Sequence, residues 1–275
     1  RIAVITQGIS NIFEFIVGSG HEVVGIVGAL GRVNLIRSSK QYESFLQVSI
    51  THSLESFKFK IFSKKTEKSL LLFKKGENEN LEKWMKNLQP DLIVYSMSHL
   101  LKENIFSIPK FGTINIHYSH LPEYRGPAPL FWEYYDYVLN PGVTIHYIDK
   151  GEDTGDIIFQ ERVPISSGEK LEQVTQKLFF TGIKLLSKTM DTIEKGGVPG
   201  KAVLNYTPTV RVRKIKPDEY DELIRWNEWD VGRIFHFLRG TPKYHYTLLK
   251  KTSLHKLEPT INILNKKNVM FPDTK

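Results

Sequence analysis

Three side chains with complementary chemistry lie in two separate segments of the chain. Asn115 and His117 end an apolar run, and Asp153 follows in a segment rich in aspartate and glycine. If the apolar run is a strand, Asn115 and His117 point to the same side of it. An amide, an imidazole and a carboxylate can together bind an oxyanion, move protons and orient the imidazole ring. This combination suits acyl transfer to an amine.

Each of these residues also has a simpler interpretation. A lone histidine such as His117 at a strand end is more often a hydrogen-bonded packing residue than a catalyst. The segment from Asp149 to Asp156 resembles a calcium loop, but the twelfth position is Gln160 where an EF-hand needs glutamate. The other histidines lack ligand spacing, so no metal is expected. We expect Asp149 and Asp156 to accept hydrogen bonds from turn amides instead.

Two motifs give the chain a family resemblance. N-x-H-x-S-x-L-P-x-x-R-G begins at Asn115, and D-x-G-x-D-T-G-D begins at Asp149. Together they resemble the formyltransferase family that uses N10-formyltetrahydrofolate. The resemblance runs from the N-terminus to about residue 242, is strongest over Gly112–Asp156 and is weakest over residues 28–75. It implies an N-formyltransferase with Asn115, His117 and Asp153 as catalytic residues and a tetrahedral intermediate whose oxyanion Asn115 binds.

The resemblance also implies where the folate binds. Its pterin ring is expected between the segment after the strand Leu92–Tyr95 and the loop that begins at Asp149. The predicted cofactor-binding residues are Met97, Ser98, Leu100, Leu101, Asp149, Gly151 and Asp153. Met97 and Ser98 depart from the Tyr-Gly pair typical of the tRNA-modifying members, which predicts altered pocket edges. A nicotinamide cofactor is excluded because no G-x-G-x-x-G follows the first strand.

The acceptor amine is predicted from features that differ among members of the family. This chain has few basic residues after its second strand and a short C-terminal part, which favours a nucleotide-linked amino sugar over tRNA. The predicted substrate-binding residues are Ser119, Tyr124, Arg125, Gly126 and Trp132. Arg32, Arg37 and Lys40 are candidates for the pyrophosphate. Methionyl-tRNA as acceptor, hydrolysis of formyltetrahydrofolate and a non-catalytic RNA-binding relative remain alternatives.

Alternating apolar runs and helical patterns predict an α/β fold. We expect a Rossmann-like, mostly parallel sheet of the formyltransferase type, with a small β-rich C-terminal subdomain. A catalytic domain is predicted over residues 1–200 and the subdomain, a reduced OB-like fold or a β-hairpin, over 201–275. The Gly/Pro cluster Gly196–Gly200 marks the boundary. The lysine-rich segment Lys58–Lys75 is interpreted as a solvated edge.

The individual elements follow from periodicity and from helix-stop signals. Predicted strands are Ile2–Thr6, Glu22–Val27, Leu92–Tyr95, Gly112–His117, Val143–Ile148 and Ile157–Val163. Predicted helices are Asn11–Val17, Leu81–Leu88, Leu171–Ile193 and Val231–Leu238. Ligands of such sheets bind beyond the carboxyl ends of the strands, where His117 falls.

Composition adds a charge argument. The 275 residues carry a net charge of +8 and no cysteine. From Asn205 onward there are 14 Lys/Arg against 8 Asp/Glu, which suits a phosphate-bearing partner or a plain solvated surface. Without cysteine, disulfides and thiolate catalysis are excluded. No membrane span is expected, a cytoplasmic location is predicted, and a homodimer is implied by the resemblance.

Overall fold

The apolar runs of the sequence form one seven-stranded sheet. A computed structural model of the chain describes residues 1–6, 11–29, 56–73, 77–97, 100–196, 211–216 and 219–242. The strands are β1 (Ile2–Thr6), β2 (Val23–Ala29), β3 (Ser69–Phe73), β4 (Leu92–Ser96), β5 (Thr113–His117), β6 (Gly142–Tyr147) and β7 (Ile157–Arg162). Their order in the sheet is β3-β2-β1-β4-β5-β6-β7.

Strand direction changes twice across this sheet, both times at the end that carries β6 and β7. The five strands from β3 to β5 are parallel, whereas β6 is antiparallel to β5 and β7 is antiparallel to β6. All five residues of β1 are buried, as expected for a parallel strand covered on both faces. The predicted α/β fold with a mostly parallel sheet is confirmed.

Helices cover both faces of the sheet. They are α1 (Asn11–Gly18), α2 (56–66), α3 (Asn78–Leu88), α4 (Glu103–Phe106), α5 (Pro129–Tyr135), α6 (Leu171–Glu194), α7 (Tyr220–Leu223) and α8 (Val231–Gly240). Helices α1 and α6 pack in one apolar cluster with Val4 and Val94, and α3 packs in a second cluster with Ile5 and Ile93. Neighbouring residues of β1 and β4 therefore enter opposite cores.

The helix faces follow the predicted periodicity. Leu178, Leu185 and Leu186 of α6 are buried, and the helix runs one residue beyond its predicted end. In α3, Leu81 and Met85 are buried one turn apart. Trp84 and Leu88 of the same helix are half-buried.

The lysine-rich segment contains more structure than predicted. It carries helix α2 and strand β3, which lies at one edge of the sheet. Phe59 of α2 is only 1% exposed and packs so close to Gly28 that a Cβ there would lie within 2.8 Å of its ring. The segment is thus an edge, as predicted, but one anchored by a buried aromatic ring.

The C-terminal subdomain is described only in part. Residues 211–216 and 219–242 contain α7 and α8, and α8 packs on α5 through Phe237 and Phe131. The predicted β-rich tail lies outside the described residues, so the division at residue 200 and the reduced OB-like or hairpin form stay predictions. Among the described residues, no helix is both long enough and apolar enough to cross a membrane.

Candidate active site

The antiparallel pair of β5 and β6 forms the polar wall of a cavity. Asn115 lies directly opposite His146, and His117 lies opposite Thr144. Side chains alternate along a strand, so Ile114 enters the core. Asn115 and His117, together with His146 from the facing strand, line a cavity of about 440 Å³. Asn115 and His117 therefore point to the same side of β5, as their spacing of two residues predicts.

Asp153 reaches the same cavity from the loop after β6. Its Oδ2 lies 3.6 Å from His117 Nδ1, and its Oδ1 lies 3.6 Å from His146 Nε2. The backbone N–H of Gly126 donates to Oδ2 at 3.0 Å. Asp153 has a positive φ of 52°, a conformation that aspartate tolerates better than most residues. The predicted set Asn115, His117 and Asp153 is brought together, with the carboxylate between two imidazoles.

His117 is held by a second contact besides Asp153. Its Nε2 lies 3.3 Å from the carbonyl oxygen of Tyr124, and the residue is 7% exposed. The distance from Nδ1 to Asp153 is longer than a hydrogen bond but short enough for an ion pair when the ring is protonated. The ring is thus fixed on one edge and faces a carboxylate on the other.

The loop that presents Asp153 is stabilised from within. Asp149 Oδ1 accepts hydrogen bonds from the Gly151 N–H at 2.9 Å and from the Thr154 hydroxyl at 2.5 Å. Gly155 lies so close to the Tyr147 carbonyl that a Cβ would collide with it. Asp149 therefore satisfies a turn amide, as the sequence predicted, and Gly155 allows the loop to approach β6.

Most predicted cofactor-binding residues line the cavity. Met97, Leu100, Leu101, Asp149, Gly151 and Asp153 are all in its wall. Leu100 is 67% exposed, so it lies at the cavity edge. Ser98, like Arg32, Arg37 and Lys40, lies outside the described residues. Tyr95 and Ile148 add further apolar surface, so the cavity combines an apolar part with the polar wall.

The predicted substrate-binding residues divide into two groups. Gly126 lines the cavity, whereas Ser119, Tyr124, Arg125 and Trp132 are not among its lining residues. The Ser119 hydroxyl donates to the Glu123 carbonyl, and the Tyr124 hydroxyl donates to Asp136. The Trp132 indole N–H donates to the carbonyl of Arg213 at 2.7 Å. Their role in substrate binding stays a prediction.

The segment 211–213 contacts Gly126 and Glu152, two residues that line the cavity. Its Val212 N–H donates to the Arg125 carbonyl at 2.8 Å, and Arg211 pairs with Glu152 of the cavity wall. Gly126 has a φ of 104°, and a Cβ there would lie 2.7 Å from the Val212 carbonyl. Glycine is required at this position for both conformation and space.

His146 is a polar residue of the cavity that was not predicted from the sequence. It is 2% exposed, and burial lowers its pKa to about 4 although Asp153 favours the charged form. The sequence signal was the alternation of Thr144 and His146 with Val143 and Ile145, which predicts one polar face on β6.

One group of possible metal ligands occurs elsewhere among the described residues. His21, Asp191 and Glu194 lie close together at the surface and do not line the cavity. The expectation that the protein uses no metal stays a prediction.

Comparison with known proteins agrees with this geometry. The sequence model of the formyl transferase family matches residues 48–190, more than half of the chain. The chain belongs to the formyl transferase family. The matched range includes β3 to β7 and the whole polar wall of the cavity.

Relatives within the family include methionyl-tRNA formyltransferases. The one from Thermodesulfovibrio yellowstonii is 36% identical over 171 residues, which is 61% of this chain and 53% of that protein. The one from Azobacteroides pseudotrichonymphae is 30% identical over 236 residues, which is 84% of this chain and 68% of that protein. The chain thus spans about half the length of the first of these relatives.

Solved structures share the fold. A sugar N-formyltransferase-like protein from Mycobacterium tuberculosis superposes with a TM-score of 0.59 at 16% identity, covering 87% of this chain and 86% of that one. At this identity the likeness concerns the fold alone.

Proposed function

We propose that this protein transfers the formyl group of N10-formyltetrahydrofolate to the amino group of methionyl-tRNA. The observation that carries the proposal is the meeting of Asn115, His117 and Asp153 in one cavity. Transfer of a formyl group to an amine needs a donor for the oxygen on which negative charge develops, and a group that takes a proton from the amine. The three side chains offer both.

The cavity fits the folate donor in size and chemistry. At about 440 Å³ it falls within the range of small-molecule sites. Met97, Leu101 and Ile148 offer apolar surface to a flat ring, and Gly151 of the loop after β6 lines the same cavity. The donor supplies the activated formyl group, so the protein needs no nucleophile of its own.

Each polar residue then has a task that its position allows. Asn115 donates a hydrogen bond to the formyl oxygen, and His117 accepts the proton that the attacking amine loses. Asp153 faces His117 Nδ1 and stabilises the ring when it becomes charged. Because Gly126 N–H holds the Asp153 carboxylate, the carboxylate is in place before substrate binds.

The relatives and the cavity together support tRNA as acceptor. The similarity to the methionyl-tRNA formyltransferase of Azobacteroides pseudotrichonymphae extends over 84% of the chain. Trp132 is one of the residues predicted to bind the acceptor, but its indole N–H donates to the carbonyl of Arg213 and the residue does not line the cavity. We therefore rank the nucleotide-linked amino sugar second. The homodimer and the cytoplasmic location stay predictions.

Release of tetrahydrofolate from N10-formyltetrahydrofolate tests the proposal. The acceptors are charged initiator tRNA, dTDP- and UDP-linked amino sugars, and no acceptor. Turnover should occur with charged tRNA, and Asn115→Ala should lower kcat by about a hundredfold to a thousandfold. Asn140→Ala, which changes an exposed asparagine before β6, serves as the matched control and should leave kcat unchanged.

Other outcomes would revise the proposal in defined ways. Turnover with an amino sugar alone would keep formyl transfer and replace the acceptor. Turnover without acceptor would indicate a hydrolase. Absence of turnover under all conditions would overturn the catalytic proposal and favour a binding protein.

A further inference from the structure

His146 has no part in the roles assigned above, although it is the most buried polar residue of the cavity wall. It is 2% exposed and lies directly opposite Asn115 in the β5–β6 pair. Directly opposite residues of antiparallel strands are close enough for their side chains to interact. The contacts of its two ring nitrogens determine what it can do there.

The first nitrogen locates the proton of the ring. Nδ1 lies 2.8 Å from the carbonyl oxygen of Tyr147, which can only accept a hydrogen bond. Nδ1 must therefore carry a proton. The titratable groups that face the ring are Asp153 and His117, with Asp149 farther along the loop, and burial lowers the pKa of the ring more than the two carboxylates raise it. A neutral ring with its proton on Nδ1 has a lone pair on Nε2.

The second nitrogen then determines the orientation of the Asn115 amide. Nε2 lies 3.2 Å from Asn115 Nδ2. A lone pair on Nε2 attracts the amide N–H and repels the amide oxygen, so the Nδ2 end of Asn115 is held at His146. Asp153 Oδ1, 3.6 Å from the same nitrogen, has no proton to offer in its ionised form. One N–H of Asn115 is used in this contact and the other remains available.

We propose that His146 is a positioning residue that fixes the Asn115 amide with its free N–H available to the cavity. Without this acceptor the amide can rotate by half a turn and present its oxygen where the negative charge of the reaction develops, which is repulsive. The inference rests on the proposed function, because the value of the orientation lies in the oxyanion contact.

A double-mutant cycle tests the proposal. His146→Leu removes the acceptor, and we expect kcat to fall by about tenfold or more with little change in KM for the folate. In the Asn115→Ala background the same change should have less than about a twofold effect, because the group through which His146 acts is already absent. His146→Gln restores a carbonyl acceptor and should recover part of the activity.

A matched control separates positioning from packing. His236 is also fully buried, and its Nδ1 also accepts an N–H, from Gly168 at 3.0 Å. His236→Leu therefore removes a buried acceptor outside the cavity and should leave kcat per folded molecule unchanged. Equal losses of kcat in both variants, or independent and additive losses in the His146 and Asn115 cycle, would overturn the proposal.

A spectroscopic measurement does not depend on turnover. Nitrogen-15 NMR of the histidine rings at pH 6 should show His146 neutral with its proton on Nδ1, and His146→Leu should shift the side-chain amide signals of Asn115. A charged ring or a proton on Nε2 would overturn the proposal. If no acceptor is formylated and these signals are as expected, the proposed function fails while the positioning contact stands.

Discussion

Two regions of this molecule bury polar side chains, and they do so against different surroundings. At the β5–β6 wall, His146 meets Asn115 and Asp153 beside a cavity. At the junction of α5 and α8, His236 is surrounded by Tyr134 and Tyr137, with ring centroids 4.7 and 5.0 Å away. Burial lowers the pKa of both histidines to about 4.

The difference lies in the second ring nitrogen. Nε2 of His146 contacts a polar side chain of the cavity, whereas Nε2 of His236 has no hydrogen-bond partner in the described part of the chain. Burial and a shifted pKa alone therefore do not mark a functional histidine. We expect changes at the wall to alter rate and changes at the junction to alter stability.

The largest effect on rate is expected at His117. General acid–base groups contribute about a hundredfold to ten-thousandfold, so His117→Ala should lower kcat by about a thousandfold. The free energy of unfolding should change by no more than about 1 kcal/mol, since the ring makes one weak hydrogen bond. Steady-state kinetics and urea unfolding measure the two quantities, with His21→Ala as control. A large loss of stability in His117→Ala would contradict the expectation that changes at the β5–β6 wall alter rate while changes at the α5–α8 junction alter stability.

The largest effect on stability is expected at Phe237. Its ring is fully buried and packs against Phe131, Trp229 and Tyr135 at 5.4 to 5.8 Å. Phe237→Ala should destabilise the fold by about 3 to 5 kcal/mol through lost burial and a cavity, with kcat per folded molecule unchanged. Phe180→Ala, at a side chain 60% exposed, is the control. A fall in kcat for folded Phe237→Ala protein would show that the junction also shapes the site.

A pH-dependent effect is expected from Glu133 of α5. Burial raises the pKa of this carboxyl to about 8, while one carboxyl oxygen lacks a hydrogen-bond partner among the described residues. In the unfolded chain the carboxyl loses its proton above about pH 4.5, so unfolding releases a proton and stability falls as pH rises from 4.5 through 8. Over this range the loss amounts to about 4 kcal/mol.

Glu133→Gln isolates this contribution. Glutamine can accept the same hydrogen bond from the Gly142 amide but does not titrate. The variant should be more stable than wild type at pH 8 and close to it at pH 4.5, as measured by urea unfolding at both values. Parallel pH profiles for the two proteins would contradict the assignment.

The smallest effect is expected from His236, with the opposite sign. The fold keeps its ring neutral down to about pH 4, whereas the unfolded chain binds a proton below about pH 6.5. Stability should therefore fall as pH drops from 6.5 to 4, by about 3 kcal/mol. His236→Gln, which retains an acceptor for Gly168, should remove only part of this slope, because His146 contributes with the same sign. An unchanged slope would show that His236 is not buried neutral.

Much of the sheet and of the polar wall could be predicted from the sequence, for a physical reason. The strands β1, β4, β5, β6 and β7 are apolar runs bounded by polar or glycine residues, and their ends fall within about two residues of the prediction. Asn115 and His117 followed from strand periodicity. Asp153 followed from the family motif, since the loop that carries it has no periodicity from which its position could be derived.

The contacts of His146 and Phe59 show what could not be predicted. The partner of Asn115 depends on the register of β6, which follows a long connection containing α5 and which no local pattern encodes. Phe59 lies among lysines in α2, and its burial depends on the absence of a Cβ at Gly28 of β2. Both are contacts between segments far apart in the sequence, whereas the periodicity of apolar residues predicts only the structure of one segment at a time.

The peptide group between Arg125 and Gly126 has a consequence for how the site can vary. Its oxygen accepts the Val212 N–H at 2.8 Å, and its nitrogen donates to Asp153 at 3.0 Å. A peptide group is planar and turns as one body, so a rotation that lengthens one hydrogen bond disturbs the other. The carboxylate beside His117 is therefore mechanically linked to residue 212, outside the range that the family model matches. A change of sequence or the binding of a partner at 211–213 would therefore shift the Asp153 carboxylate by turning the rigid peptide group between Arg125 and Gly126.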